Sequence, residues 1–401
     1  MFNFESKVKM IEDETGNLPF LVVSSPGRAD LLNTHQDYKG LSVVSIALNI
    51  RTYIFAIREL EGKFRTTSLN LKQQGLEYVD VFDTTKVELQ HRKWFGNYLR
   101  SVFIALQQII GKKSCKGLEI VIYSEIPISS GLASSAALEV AFAKLLNEYY
   151  GLKLSLTDLA EVSFVAENQI LGIPCGRLDQ YGSAFGGTIL LYPHPPIRVE
   201  PLPLRDINLV IVDSGIEHSV TNIHNKRQEE INKGLDQLME MSESAGSFNK
   251  KLGHRFDEPD WNKIRIKEIK PYLKLIDKVS ANRIIYTIKA NMSTMKAIEL
   301  IRKCPGKDKL NELGRVLNEQ HEMLRDLYDL SLGKLEKIRN AMLEAKALGV
   351  KITGAGLGGC LVGLVRNSVE GKRVIEKALQ AGAVNGWNTK VDTGAKVNYI
   401  R

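Results

Sequence analysis

The chain has 401 residues, 44% of them hydrophobic, with ordinary charge content, which is enough for a sizeable core and roughly two domains of common size. Its formal net charge of +8 comes from lysines and arginines spread along the chain rather than gathered into one arm. That distribution argues for a solvated surface and against a nucleic-acid-binding protein. In chain order, residues 1–7 show no basic region followed by a long apolar stretch, and no run approaches the roughly 18 apolar residues of a membrane span, so neither export nor anchoring is expected. Strand-like runs at residues 20–24, 43–57, 118–123 and 188–192 surround helical patterns at 98–110, 134–150 and 157–171, which predicts an α+β fold. The Pro cluster Pro193-His-Pro-Pro196 lies between strand-like runs at 187–192 and 207–213 and places a domain boundary there, with one domain over 1–200 and a second over 201–401. The second half opens with the strand at 207–213, reads as mostly helical through Leu348 with few candidate catalytic groups, and closes with a Gly-rich hairpin and a strand at 395–400. Its densest basic stretch, 249–270, also carries Asp257, Glu258, Asp260 and Glu268 and reads as a mixed-charge surface insertion. Four scattered cysteines, Cys115, Cys175, Cys304 and Cys360, form no C-x-x-C pair, so no zinc site or disulfide framework is expected and a reducing cytoplasm is the natural location.

The most informative segment is Pro127-Ile-Ser129-Ser130-Gly131-Leu132-Ala133-Ser134-Ser135-Ala136-Ala137, a small-residue loop leading into a strongly periodic helix. Apolar residues recur at Leu138, Ala141, Phe142, Leu145, Leu146 and Tyr149, and Gly151 supplies the stop. The first backbone N–H groups of such a helix lack partners within it and carry the positive end of its dipole, so they favour a phosphate lying against the loop. No Gly-Lys is followed by Ser or Thr, which excludes a Walker loop. Near the C-terminus, Gly354, Gly356 and Gly359 satisfy the dinucleotide pattern G-x-G-x-x-G, but Cys360-Leu-Val-Gly-Leu-Val365 after them reads as a strand and not the required helix.

The order Pro-x-x-x-Gly-Leu-x-Ser-Ser-Ala resembles the nucleotide loop of the GHMP kinases, the superfamily of galactokinase, homoserine, mevalonate and phosphomevalonate kinases. Two further segments agree in order. Pro26-Gly-Arg28-Ala-Asp30-Leu-Leu-Asn33-Thr34-His35-Gln36-Asp37-Tyr38-Lys39-Gly40 is similar to the galactokinase signature, and Lys351-Ile-Thr353-Gly354-Ala-Gly356-Leu-Gly358-Gly359-Cys360 to the superfamily's third motif. Lys93-Trp94-Phe95-Gly96-Asn97-Tyr98 resembles the aromatic segment beside the adenine, with Trp94 and Phe95 both open as the stacking ring. Ala166-Glu167-Asn168 and Pro174-Cys175-Gly176-Arg-Leu-Asp179-Gln180 also follow the galactokinase pattern, as do Val212 to Ser219 and Asn318 to Tyr328. The resemblance implies an N-terminal ribosomal S5 domain 2-like domain, a C-terminal ferredoxin-like domain and an active site in the cleft between them.

It also implies an ATP- and Mg²⁺-dependent kinase acting on the anomeric hydroxyl of a galactose-type sugar, as a monomer or homodimer. Ser129, Ser130, Gly131, Leu132, Ala133, Ser134, Ser135 and Ala136, with Trp94, Phe95 and Tyr98, correspond to the ATP site. Ser135 and Glu167 are the hard oxygen ligands that Mg²⁺ prefers. Asp179 is the general base or hydroxyl-orienting group, and Arg28 lies against it to keep it ionised and stabilise developing charge. Thr34, His35, Asp37, Asp179 and Gly182 make up the sugar set. Thr34 stands where galactokinases have the Glu that meets the C6 hydroxyl, and Asp30, Asn33 and Lys39 are further departures. Loss of that carboxylate makes a galacturonate or other modified-hexose kinase the alternative, and a non-catalytic sugar and ATP sensor the alternative of another class.

Overall fold

The structure is a computed structural model that describes residues 3–111, 115–128, 130–217, 220–241, 251–303 and 307–401. Ser129 of the loop, His218, Ser219, residues 249–250 of the basic stretch and Cys304 lie outside the described residues.

Helix α1 (Phe4–Thr15), capped by Asn3 and ended by Gly16 at φ 70°, precedes strands β1 (Leu21–Leu32), β2 (Val43–Leu60) and β3 (Lys63–Ser68). The short α2 (Leu69–Gln73) and β4 (Val79–Asp83) lead to α3 (Asn97–Ile110), β5 (Gly117–Ser124) and α4 (Ser134–Tyr150). A Ser155/Asp158 capping box opens α5 (Leu156–Phe164), whose last turns widen to π-helical geometry over Val165–Ile170. Next come α6 (Leu178–Phe185), β6 (Thr188–Tyr192), β7 (Arg198–Pro201) and β8 (Asn208–Asp213). The second half continues through α7 (Val220–Glu240), α8 (Ile266–Leu273), α9 (Lys278–Arg302), α10 (Lys307–Asp326) and α11 (Gly333–Glu344). It ends with β9 (Gly349–Ile352), β10 (Cys360–Val365), α12 (Ser368–Gln380), β11 (Asn385–Lys390) and β12 (Lys396–Ile400).

One sheet runs β12-β1-β2-β5-β3-β4, with β6 and β7 continuing from β2, and a second runs β11-β8-β10-β9. The 200/201 division falls within β7, one residue before its end, and the terminal strand returns to the first sheet, where Leu21 pairs with Ile400. β9 and β10 form the antiparallel hairpin around the glycines, and the G-x-G-x-x-G run passes directly into strand β10 and not into a helix.

Three of the buried clusters position the site. One packs α3, α4 and α5 on the first sheet through Ile54, Phe64, Phe103, Phe142 and Leu159. Another fills the second half through Ile231, Ile284, Leu335 and Val350. The third is shared: Ala29, Leu31, Ile46 and Leu48 of β1 and β2 meet Leu209 and Ile211 of β8 and Val362 of β10. Burial of apolar surface across that seam fixes the two halves against each other, so residues at its edge meet at defined distances. The basic stretch is not wholly superficial. Trp261, Ile264 and Ile269 enter the second core, because their apolar area outweighs the charge around them.

Candidate active site

A cavity of about 470 Å³ opens along that edge and is lined from both halves of the chain. One end of it is built by the loop before α4. Gly131 has φ 79° and Ala133 φ 60°, left-handed conformations that turn the chain abruptly into the helix. The carbonyls of residues 130–132 are engaged: Ser130 accepts from the Cys360 amide at 2.9 Å, Gly131 from Arg28 Nη1 at 2.7 Å, and Leu132 from the Arg28 amide at 3.1 Å. The first helical bond runs from the Ala137 amide to the Ala133 carbonyl, so the amides of Ser134, Ser135 and Ala136 precede the ladder and remain for an anion. Leu132 and Ala136 contribute backbone only, since both side chains are fully buried.

Arg28 and Asp30 project from β1 at the same face two residues apart. Arg28 donates through Nε at 3.0 Å and Nη2 at 2.6 Å to the same oxygen, Oδ1, of Asp179. Its ion pair with Asp30 is 3.3 Å. Burial alone would lower the Arg28 pKa, but Asp179 and Asp30 outweigh it and hold the guanidinium above its ordinary value. Asp30 accepts from the Gly354 amide at 3.1 Å, and its own amide donates to Thr353 Oγ1 at 2.8 Å, which ties the strand to the glycine hairpin. Asp179 lies in the first turn of α6. Gly182, one turn later, does not line the cavity, and a Cβ there would fall 2.3 Å from Ser45 Oγ and 3.2 Å from the Arg28 side chain. Its part is to let α6 seat against Arg28.

Ser135 Oγ donates to Glu167 Oε1 at 2.8 Å, and Gln180 Nε2 donates to Glu167 Oε2 at 2.6 Å. The π-helical turn carries this carboxylate into the cavity, a placement common for such turns at functional sites. Burial, with the charge of Asp179 added, pushes Glu167 up to about 7. Two hard oxygens in an electrostatically unbalanced acidic pocket suit a Mg²⁺ ion that keeps several of its waters. Among the described residues no cluster of three His, Cys, Asp or Glu exists to cage a metal more fully.

Phe95 and Tyr98 line the cavity, whereas Trp94 does not: its indole donates to Asp80 Oδ1 at 2.7 Å, and Arg100 clasps the same carboxylate. Of the two adjacent rings only Phe95 reaches the cavity, with Trp94 behind it at 5.1 Å between centroids.

The sugar segment departs most from expectation. Thr34 does not line the cavity. Its hydroxyl accepts from Lys351 Nζ at 2.6 Å and its carbonyl from the Tyr286 hydroxyl at 2.7 Å, because a buried ammonium takes the nearest oxygens available. Burial lowers Lys351 to about 8. His35 lines the cavity, yet both ring nitrogens are engaged. Nε2 lies 3.0 Å from the Ala355 carbonyl, which can only accept, so Nδ1 accepts from the Tyr38 hydroxyl at 3.1 Å. Asp37 keeps a cavity-facing carboxylate. Its Oδ2 accepts from the Leu178 amide at 3.2 Å, which caps α6, and Gly176 makes room where a Cβ would lie 1.8 Å from that oxygen. Burial raises Asp37 to about 6, the Leu178 bond opposing and the charges of Asp179 and Asp30 adding to it. His224, on a helix read as poor in catalytic groups, lines the cavity as well. A single histidine within an amphipathic pattern gives no spacing by which to find it.

Three family models match in the order of these parts. The galactokinase galactose-binding signature covers residues 12–58, the GHMP kinases N terminal domain 97–187 and the GHMP kinases C terminal 297–384. A galactokinase of Clostridium acetobutylicum is 28% identical over 351 residues, 86% of this chain and 85% of that one. One from Haemophilus influenzae is 29% identical over 356 residues, 87% and 86% respectively. The solved Lactococcus lactis galactokinase complexed with galactose superposes with a TM-score of 0.81 at 25% identity, over 98% of this chain and 99% of that one. The Methanococcus jannaschii mevalonate kinase shares the fold at a TM-score of 0.67 and 17% identity, covering 93% and 99%. With all three models matched around one cleft, the chain belongs to the GHMP kinase superfamily as a galactokinase-like member.

Proposed function

We propose that this ATP- and Mg²⁺-dependent sugar kinase transfers the γ-phosphoryl group to the anomeric hydroxyl of galactose, with Asp179 and Arg28 at the reacting centre. The observation that carries the reading is the Arg28–Asp179 contact at the point where the anion loop and the sugar segment meet. Because both guanidinium bonds land on Oδ1, Asp179 Oδ2 is left for the sugar hydroxyl, to orient it and take its proton. Arg28 stays beside the transferring group, where its charge offsets the negative charge that develops. Loop amides from 130–136 hold the phosphates, and Phe95 and Tyr98 flank the base. Ser135 and Glu167 would hold Mg²⁺, which when bound neutralises phosphate charge. Asp37 supports the sugar ring, while Thr34 acts at one remove by fixing Lys351. The galactokinase relatives favour neither the uronate kinase nor the sensor alternative.

The test is ADP release from Mg-ATP with galactose, comparing the wild type with Asp179→Asn. Asparagine preserves the shape but cannot take a proton, so turnover should fall by about 10²–10⁴ while galactose still binds. Wild-type activity retained in Asp179→Asn would remove Asp179 from the reaction.

A further inference from the structure

The basic stretch whose charge pattern marks it as a surface insertion sends one ring inward to the sugar segment. Phe256 is half-buried, its side chain packs on the second core, and both of its backbone groups are held. The amide donates to Asn232 Oδ1 of α7 at 2.7 Å, and the carbonyl accepts from the Trp261 indole at 2.9 Å. Glu258 tightens the turn around it, Oε2 accepting from the amides of His254 at 2.8 Å and Arg255 at 3.2 Å. A ring fixed in this way meets Tyr38 edge-on, at 5.5 Å between centroids and 88° between planes. Tyr38 in turn sets His35. The Ala355 carbonyl requires the proton on His35 Nε2, so Tyr38 donates its one hydroxyl hydrogen to Nδ1 at 3.1 Å and accepts from the Tyr328 hydroxyl at 3.0 Å. The His35 ring, which lines the cavity, is therefore held at both ends, and at one of them only as firmly as Tyr38 itself is held.

We propose that Phe256 is a positioning residue for the sugar site, its ring holding Tyr38 against His35, so that residues 251–264 govern how firmly the cavity grips the sugar. The proposal rests on the sugar-kinase reading for that last step. Without the Phe256 edge, Tyr38 is free to turn, its hydroxyl leaves Nδ1, and the His35 ring can swing about its remaining bond to Ala355. The 130–136 loop lies outside this chain of contacts, so ATP binding should be little affected. Coupling of this kind is reciprocal: a sugar that tightens His35 tightens residues 251–264 by the same free energy.

The experiment reads the ring-nitrogen NMR signals of histidine-labelled, sugar-free protein for the wild type, Phe256→Ala, Phe256→Leu and Tyr38→Phe, with His35 assigned by its loss in His35→Gln. An unprotonated ring nitrogen moves downfield when its donor leaves. Tyr38→Phe marks the position of His35 Nδ1 without a donor, and both Phe256 variants should move most of the way toward it. Tyr38 also meets His224 at 5.5 Å, so the Nδ1 signal and not kinetics alone decides. The galactose KM should rise about 2- to 10-fold in the Phe256 variants, with the KM for ATP changed less than about twofold. The Phe256→Ala/Tyr38→Phe double variant should bind galactose no more weakly than Tyr38→Phe, because both changes act through one hydroxyl. In hydrogen exchange, galactose should slow the amides of 251–262 in the wild type and not in Phe256→Ala. Leucine keeps apolar bulk on the core and loses the ring edge, so it separates positioning from stability. A wild-type Nδ1 signal in Phe256→Leu makes the contact packing alone and overturns the proposal, as does a displaced signal with an unchanged galactose KM. A wild type that turns over no galactose removes the kinase reading, while the Nδ1 signal, read without sugar, still decides whether Phe256 holds Tyr38 on His35.

Discussion

Gly131 of the anion loop and Gly354 of the C-terminal hairpin approach so closely that neither tolerates a side chain. A Cβ on Gly131 would fall 2.7 Å from the Thr353 carbonyl oxygen, and one on Gly354 would fall 2.6 Å from Gly131 Cα and 2.8 Å from its carbonyl oxygen. Both residues also have φ 79°, where alanine is strained by roughly 1–2 kcal/mol. Forcing backbone apart in a packed contact adds roughly 1–3 kcal/mol, so each Gly→Ala change should destabilise the protein by about 2–5 kcal/mol. The two Cβ atoms compete for one space. Once the first has separated the loops the second meets less resistance, so Gly131→Ala/Gly354→Ala should fall short of additivity by about 1–2 kcal/mol. The same separation moves the 130–136 amides, and a displacement of that size can cost about 100-fold in kcat/KM for ATP. Urea denaturation of the four proteins gives the cycle, and ATP kinetics gives the functional effect. Single variants that unfold within 0.5 kcal/mol of wild type, or strict additivity, would refute the contact as the cause.

Three other outcomes follow from the site. Asp37 is held near 6 in the fold against an ordinary 3.8, so its ionised form is disfavoured by folding: the penalty is absent below about pH 4 and complete above about pH 6. The shift, (6 − 3.8) × 1.36, is about 3 kcal/mol, or about 2 after allowing for its partial exposure, so Asp37→Asn should be more stable than wild type at pH 8 by that amount and equal to it near pH 4 in urea melts. Thr34→Ala should leave the galactose KM within about twofold but lower stability by about 1–3 kcal/mol, because it strips a partner from the buried Lys351 ammonium, and a large KM change with unaltered stability would contradict that placement. Phe95→Ala should raise the KM for ATP about tenfold, whereas Trp94→Phe should leave it unchanged and cost about 1 kcal/mol of stability through the lost Asp80 bond, as kinetics and denaturation on the same samples would show.

The sequence reading succeeds where chemistry depends on neighbours in the chain. The loop before α4 reads as an anion loop because small residues, a turn and a helix start are consecutive, and among the described residues no backbone carbonyl accepts from the 134–136 amides. Helix α12 also carries its signals locally, with Asn367 capping it and Glu370 three residues on. Strand β3, Lys63-Phe-Arg-Thr-Thr-Ser68, is different: it has only one large apolar residue, and its pairing with β5 supplies what its own pattern lacks. The sugar segment fails for a third reason. Whether Thr34 or His35 offers an atom to a ligand is decided by Lys351, Ala355 and Tyr328, some 300 residues away, and no spacing within the motif encodes that capture.

What joins the local motifs into one site is the pair Arg28 and Asp30. Alternation along β1 sends Ala29 and Leu31 into the core shared by both halves and turns the two charges toward the cavity. From there Arg28 reaches the loop at Gly131 and the helix at Asp179, while Asp30 reaches the hairpin at Gly354. A single strand therefore sets the distances among the anion loop, the group proposed to take the proton and the glycine hairpin. The apolar seam that holds β1 in place therefore also fixes the spacing of those three parts of the cavity.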